Sequence, residues 1–417
     1  MSGASRLSTG RRAWTYWSAD TGWTLGLDGR PHLSRLTLEG SPVHVDAAGP
    51  GWLRGRSRPD GPTVTVFVPV RAPALLLRIE SGPGQPIPSL GTTGRVAVPS
   101  LPAEATGTVH LGLSPAGAGW RGAGWSTGPW PLGLGDPEQV PERIRRERAT
   151  ALARRTRLAI AEIDPARPWG QALERALAGV DGWVTADAAG APVAVAAYGP
   201  EGAQAATPEQ RAELARALLA LGAPEDVRAW ADAGQLDPGS ATALRLWTGG
   251  DDRELGDSTQ PEPDPFGRLP PPPSPDDGSV PAHVAQARAL LHVLHALLGL
   301  RPDAPYARVG LAPRCPTGWS GYRLEGLRVG NGEMAFRYRG PGPHRFETEQ
   351  TWGVTPLSVV LEAWLPVPPD AVVVLDGQPA EPTREPEPGG TRFRLQLPLE
   401  APRTLEISPG TPTAEDP

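Results

Sequence analysis

The sequence contains no lysine, so all 40 of its basic residues are arginine, and asparagine occurs once, at Asn331. With alanine, glycine and proline also in excess, this bias matches a GC-rich coding sequence and says little about function. One cysteine, Cys315, excludes an internal disulfide and fits a reducing, cytoplasmic compartment. No run of eighteen apolar residues occurs, so no membrane-spanning helix is expected. Met1 to Trp17 hold three arginines and no apolar stretch, so no secretory signal is expected either. The formal net charge of −6 offers no general attraction to nucleic acid or anionic membrane. A hydrophobic content of 39% is too high for a disordered chain, and no Gly-X-Y period suggests collagen. The 51 glycines and 52 prolines, about a quarter of 417 residues, interrupt helices and strands throughout. The length suits two or three domains.

Local patterns divide the chain into β, α and β regions. In residues 1–135, Asp28-Gly29 separates Leu25 and Leu27 from Leu33, Leu36 and Leu38, a tight-hairpin signal. Thr63 to Val68 alternates, and short apolar runs follow at Leu75–Ile79, Val96–Val98 and Val109–Leu113. Many short strands predict an N-terminal antiparallel β-sandwich. Residues 136–303 read as helical. Asp136-Pro137 opens a helix expected to reach Ile163, and Pro168 opens another carrying Leu173, Leu177 and Val180. Thr207-Pro208-Glu209-Gln210 is a helix start in which threonine and glutamine can cap reciprocally. That helix, stopping at Gly222, and a second from Pro224 to Gly234 form an expected αα-hairpin. Ala243–Trp247 and Ala282–Gly299 are further helical pieces, separated by the acidic, proline-rich linker 249–281. From 304 to 410 the signals are again β, with hairpin turns at Asn331-Gly332 and Asp376-Gly377, and 411–417 reads as a disordered tail.

Several strings resemble the six-hairpin (α/α toroid) glycosidases, in particular the glucosidase region of bacterial glycogen-debranching enzymes. They are Gly182-Trp183-Val184-Thr185 with Val193–Pro200, the helical hairpin at 207–234, Gly234–Pro238, and Leu244-Arg245-Leu246-Trp247. Leu311-Ala312-Pro313, Gly318-Trp319 and Gly326–Gly330 resemble the opening of that family's C-terminal sandwich. The resemblance implies an N-terminal sandwich, a central α/α helical-hairpin layer, a C-terminal sandwich, and hydrolysis of α-glucan. The chain also departs from it. Where the family carries a Trp-Gly-Arg-Asp signature, this sequence reads Gly199–Ala206 without aromatic, arginine or aspartate. Residues 136–303 without the linker are also too few for twelve helices of about 11–12 residues with their connections. The expectation is therefore a shortened, degenerate relative with a partial helical layer and reduced or lost catalysis. The alternative is a non-catalytic sugar-binding or scaffolding protein whose open helical face is covered by a protein partner.

Glycoside hydrolysis needs two carboxyl groups flanking the bond. Asp237 and Asp251 lie in loops after helices and are the candidates, with Asp181, Glu201, Asp232, Asp252 and Glu254 as further acids of the region. Ordinary turn chemistry explains each as well. An indole face stacks on the C–H face of a sugar, and the resemblance puts Trp183, Tyr198, Trp230 and Trp247 at the sugar pocket. Helical spacing from Val227 also suits Trp230 to a core. Trp120, Trp125 and Trp130, set among glycines, suit either a groove or an anchoring role. His292 and His295 share a helix face but lack a third ligand, so no metal and no cofactor is expected. The arginines between 143 and 157 encircle their helix and have Glu142 and Glu147 to pair with, so a solvated face is expected rather than a nucleic-acid patch.

Overall fold

The computed structural model describes residues 6–9, 12–153 (except 50, 71, 84, 103, 104 and 124), 155, 157–160, 177, 180–187, 191–249, 281–314, 320–340 and 342–409. Cys315, Trp319, the segment from 161 to 176, nearly all of 249–281 and the 411–417 tail lie outside them. The chain divides into two compact units. One comprises Met1–Ala153, Leu177–Arg211 and Pro281–Val284, and the other Arg154–Ala176, Ala212–Val280 and Ala285–Pro417.

The first unit is built on two antiparallel sheets. One takes its central strands from Ala13–Ser18, Gly22–Leu27 and Arg30–Leu38. The Asp28-Gly29 turn joins the last two, with both residues at positive φ (48° and 72°), as a two-residue hairpin requires. Arg12 grips the Asp28 carboxylate through two hydrogen bonds of 2.7 and 2.9 Å. The other sheet has seven strands running from His44–Gly49 to Trp125–Thr127. Leu25, Leu27 and Leu33 of the first meet Leu53, Val64, Leu75, Leu77 and Leu111 of the second in one buried core.

Both sheets are also covered on their outer faces. The apolar run Ala74–Leu77, with Ile79 beyond Arg78, has two sides to bury. Leu75, Leu77 and Ile79 enter the core, while Ala74 and Leu76 turn outward onto Val140 and Ile144 of the helix Val140–Ala153. That helix carries Arg148, which lies 3.5 Å from Asp181 in a pair almost closed to solvent. On the opposite side, Trp14 and Tyr16 face away from the core and are covered by a three-stranded sheet, Val184–Ala186, Pro192–Gly199 and Gly202–Ala205. Trp14 lies flat because its cross-strand neighbour is Gly26, where a Cβ would stand 2.1 Å from the indole. Trp52 over Gly49 and Trp125 over Gly122 repeat this device.

The second unit also has two sheets. One contains Gly321–Val329, Gly332–Arg339, His344–Trp352 and Arg403–Ser408, with Arg157–Ile160 at its edge. The other contains Arg308–Leu311, Ser358–Leu365 and Gly390–Pro398, of which the first two pair in parallel. Inward residues alternate along the strands: Met334, Phe336 and Tyr338 on one, and Val359, Leu361, Ala363 and Leu365 on another. The helices Pro224–Asp232 and Pro238–Thr248 belong to this unit, and the Glu213 carboxylate accepts both Nε and Nη2 of Arg288 at 2.5 and 2.8 Å.

The fold expected for the middle of the chain is overturned. Residues 136–303 do not form a central α/α hairpin layer, and the protein is mainly β-sheet with five α-helices among the described residues. The first helix stops at Ala153, and Arg157–Ile160 leaves it to become an edge strand. Val184–Ala186, Pro192–Gly199 and Gly202–Ala205, in the middle of the expected layer, are strands. β-branched Val193 and Val195 suit a strand, and Val195 and Tyr198 of this sheet pack with Trp14 and Tyr16.

Two substitutions test this layering. Gly26→Ala drives a methyl group into the Trp14 indole and should cost about 1–3 kcal/mol in urea denaturation. Asp181→Asn removes the anion 3.5 Å from the buried Arg148 guanidinium and should cost about 1–3 kcal/mol, part of it recovered in the double variant Arg148→Met, Asp181→Leu.

Candidate functional site

In the second unit, the helical hairpin and the Gly321–Arg339 β-hairpin enclose an open cleft of about 610 Å3. One wall comes from Arg228 on the helix Pro224–Asp232 and from Trp247 and Thr248 at the end of the helix Pro238–Thr248. That last helix is capped at its start by Asp237 and ends on Gly249 at φ 79°, in the left-handed region. The other wall is the turn Gly330-Asn331 with Arg328, Glu333, Thr351 and Trp352. Val329 pairs with Gly332, so the two-residue turn is Gly330-Asn331, one residue earlier than Asn331-Gly332 suggests. Gly330 takes φ 60°, the first-position requirement of a II′ turn. Its N–H donates to the Trp247 carbonyl at 2.7 Å, which fastens the β-hairpin to the helix end.

Trp352 is presented at the end of a strand, before a loop. The strand His344–Trp352 gains an extra residue opposite Glu333/Met334, and this bulge turns its end out of the alternation set by Phe346 and Thr348. Gln350 then holds the loop at both ends of its amide. Its Nε2 donates to the Thr355 carbonyl at 3.0 Å, and its Oε1 accepts from Leu357 N–H at 2.7 Å. The result is an indole 66% exposed at the rim, with Val354 beyond it. Glu333 is fully engaged: Oε2 accepts from Arg328 Nε and Oε1 from the Thr351 hydroxyl, both at 3.2 Å.

The residues singled out from sequence are distributed between the two units. Trp183 and Tyr198 belong to the first and Trp230 and Trp247 to the second. Trp183, Tyr198 and Trp230 are buried, at 0%, 7% and 0% exposure, and Trp247 is half-buried and lines the cleft. Asp237 is a helix cap, accepting from Ser240 N–H at 3.0 Å and the Ser240 hydroxyl at 2.5 Å. Partial burial works to raise its pKa, but the hydrogen bonds from Ser240 and Gly239 prevail and lower it. A group so held keeps its charge, the opposite of what a proton donor needs. Asp251, Asp252 and Glu254 lie outside the described residues, and Glu201 and Asp232 are exposed. Trp120 donates to Pro99 O at 2.6 Å and Trp130 to Gly135 O at 2.8 Å beneath the Arg121 guanidinium, so both anchor their segment. Among the described residues no group of three or more potential metal ligands forms around His292 and His295 or elsewhere. Along Val140–Ala153, Glu142 pairs with Arg145 and Arg146, and Glu147 with Arg143. Sequence reasoning missed Trp352, Arg228, Arg328 and Glu333. The bulge hides the first, and only the tertiary fold gathers the others.

Tyr198 sits in a buried aromatic group of the first unit, 5.1 Å from Trp14 and 5.6 Å from His283 between ring centroids. Burial pushes its hydroxyl pKa up, with the neighbouring Thr185 working the other way. His283 is wholly buried, with Nδ1 3.1 Å from the Val195 carbonyl. Burial lowers its pKa to about 4, partly opposed by that bond. The unfolded chain therefore binds the proton first. His283's contribution is whole above pH 6.5 and is lost as pH falls from there toward 4. The wild type should lose about 3 kcal/mol relative to His283→Asn over this interval. Denaturation curves of the two proteins at several pH values check this, and parallel pH profiles would contradict it.

No protein-family model and no curated protein matches the chain. Among solved structures, weak likeness is found to glycosidases. They include an α-L-rhamnosidase from Dictyoglumus thermophilum (10% identity, 30% of this chain, 14% of that chain, TM-score 0.23). Another is the Streptomyces avermitilis α-L-rhamnosidase complexed with L-rhamnose (19% identity, 45% of this chain, 18% of that chain, TM-score 0.23). A third is a GH127 β-arabinofuranosidase (12% identity, 31% of this chain, 21% of that chain, TM-score 0.18). The chain spans less than a quarter of the length of each. Superpositions this partial define neither a shared fold nor a shared activity, and none of the three is a glycogen-debranching enzyme.

Proposed function

We propose that the cleft of the second unit binds saccharides and does not cleave them. The observation that carries this reading is the placement of two accessible indoles, Trp247 and Trp352, at one open cleft among polar groups. An indole face takes the C–H face of a sugar ring by dispersion, while Asn331, Thr248 and Thr351 offer hydrogen bonds to ring hydroxyls. The volume falls within the range of about 300–1,000 Å3 usual for small-molecule sites. An open, polar lining suits a ligand that stays partly hydrated.

Hydrolysis would need a second carboxyl group across the bond, about 5–5.5 Å or about 6.5–9.5 Å from the first. Among the described residues the cleft lining has one carboxylate, Glu333, and both its oxygens are occupied. Asp237 is committed to its helix cap. The α-glucans suggested by the sequence are the first ligands to try. Calorimetric titration with maltooligosaccharides and with glycosides of glucose, galactose and rhamnose should show binding by at least one. Trp352→Ala should weaken that binding about tenfold, about 1.4 kcal/mol. No reducing sugar should appear above blank. Release of reducing sugar that is lost in Glu333→Gln would refute the non-hydrolytic reading, and unaltered affinity in Trp352→Ala would refute the site.

A further inference from the structure

We infer that the preferred ligand of this cleft carries a carboxylate, as a uronic acid residue does; the inference rests on reading the cleft as a saccharide site. Two guanidinium groups, Arg228 and Arg328, line it against the single carboxylate of Glu333. Arg328 spends Nε on Glu333, and its two terminal amino groups make no hydrogen bond among the described residues. Arg228 is exposed and makes no ion pair or hydrogen bond among them, although Glu225 and Asp232 stand within about one turn on its own helix. The cleft therefore gathers an excess of positive charge in a chain whose net charge is −6.

An exposed guanidinium such as Arg228 can turn toward an anion that enters the cleft, at the cost of some rotamer freedom of its long side chain. The planar fork of a guanidinium matches the two oxygens of a carboxylate, and such charge-assisted pairs are roughly twice as strong as neutral hydrogen bonds. A sugar carboxylate supplies that anion on the same ring that an indole stacks. A phosphate ester also offers a guanidinium two oxygens, but it stands off the sugar ring on an ester oxygen, farther from a stacked indole.

Calorimetry with three ligands of one scaffold separates the possibilities: maltotriose, maltotriose with one terminal glucose oxidised to glucuronate, and maltotriose phosphate. The glucuronate form should bind about tenfold more tightly than the neutral one at low salt, and the ratio should shrink at high salt. In Arg228→Ala the ratio should fall toward one, and Arg228→Lys, which keeps the charge without the fork, should retain part of it. Phosphate binding more tightly than carboxylate would overturn the uronate assignment. Equal binding of neutral and acidic forms would overturn the inference and leave the saccharide reading standing. Failure of all three to bind would remove its basis, and the saccharide reading would then fall with it if the neutral glycosides also fail.

Discussion

One backbone hydrogen bond ties the two walls of the cleft directly to each other. The N–H of Gly330 donates to the carbonyl of Trp247 at 2.7 Å, joining the tip of a β-hairpin to the last turn of a helix. Each partner has a reason to be available. The carbonyls of a final helical turn have no acceptor role within the helix, and the left-handed Gly330 turns its amide outward from the hairpin. The bond brings Trp247 and Thr248 opposite Arg328, Asn331 and Glu333, residues some eighty positions away in the chain.

The abundance of glycine and tryptophan has a common structural cause. Glycine stands across the sheet from Trp14, Trp52 and Trp125, and the missing Cβ leaves a flat place for each indole. Packing accounts for these three, and Trp23, Trp120, Trp183 and Trp230 are buried as well. Trp352 differs because it ends its strand beyond a bulge, beside the loop that Gln350 clamps. Its exposure is a property of that strand end.

Much of the local structure was legible in the sequence, because turns and caps depend on a few adjacent residues. Asp28-Gly29 and Asp376-Gly377 form the two-residue turns their chemistry demands. Gln210 Oε1 accepts from Thr207 N–H while Thr207 Oγ1 accepts from Gln210 N–H, the reciprocal cap expected at that helix start. The arrangement of those pieces was not legible. Local patterns placed the helices, but their grouping into a central layer came from the family resemblance, and the Pro192–Gly199 strand within that stretch covers Trp14. At the candidate site, Trp247 could be named from sequence, but its companions depend on a bulge and on a long-range hydrogen bond that no short motif encodes.

The central claim is that two particular indoles meet the ligand and the buried ones do not. Selective 15N labelling of tryptophan resolves each Nε1–H by NMR, with single substitutions assigning the signals. On titration with the tightest-binding saccharide, the signals of Trp247 and Trp352 should move while those of the buried Trp14, Trp23, Trp120, Trp183 and Trp230 stay in place. Movement confined to the buried set, with Trp247 and Trp352 unchanged, would contradict the account.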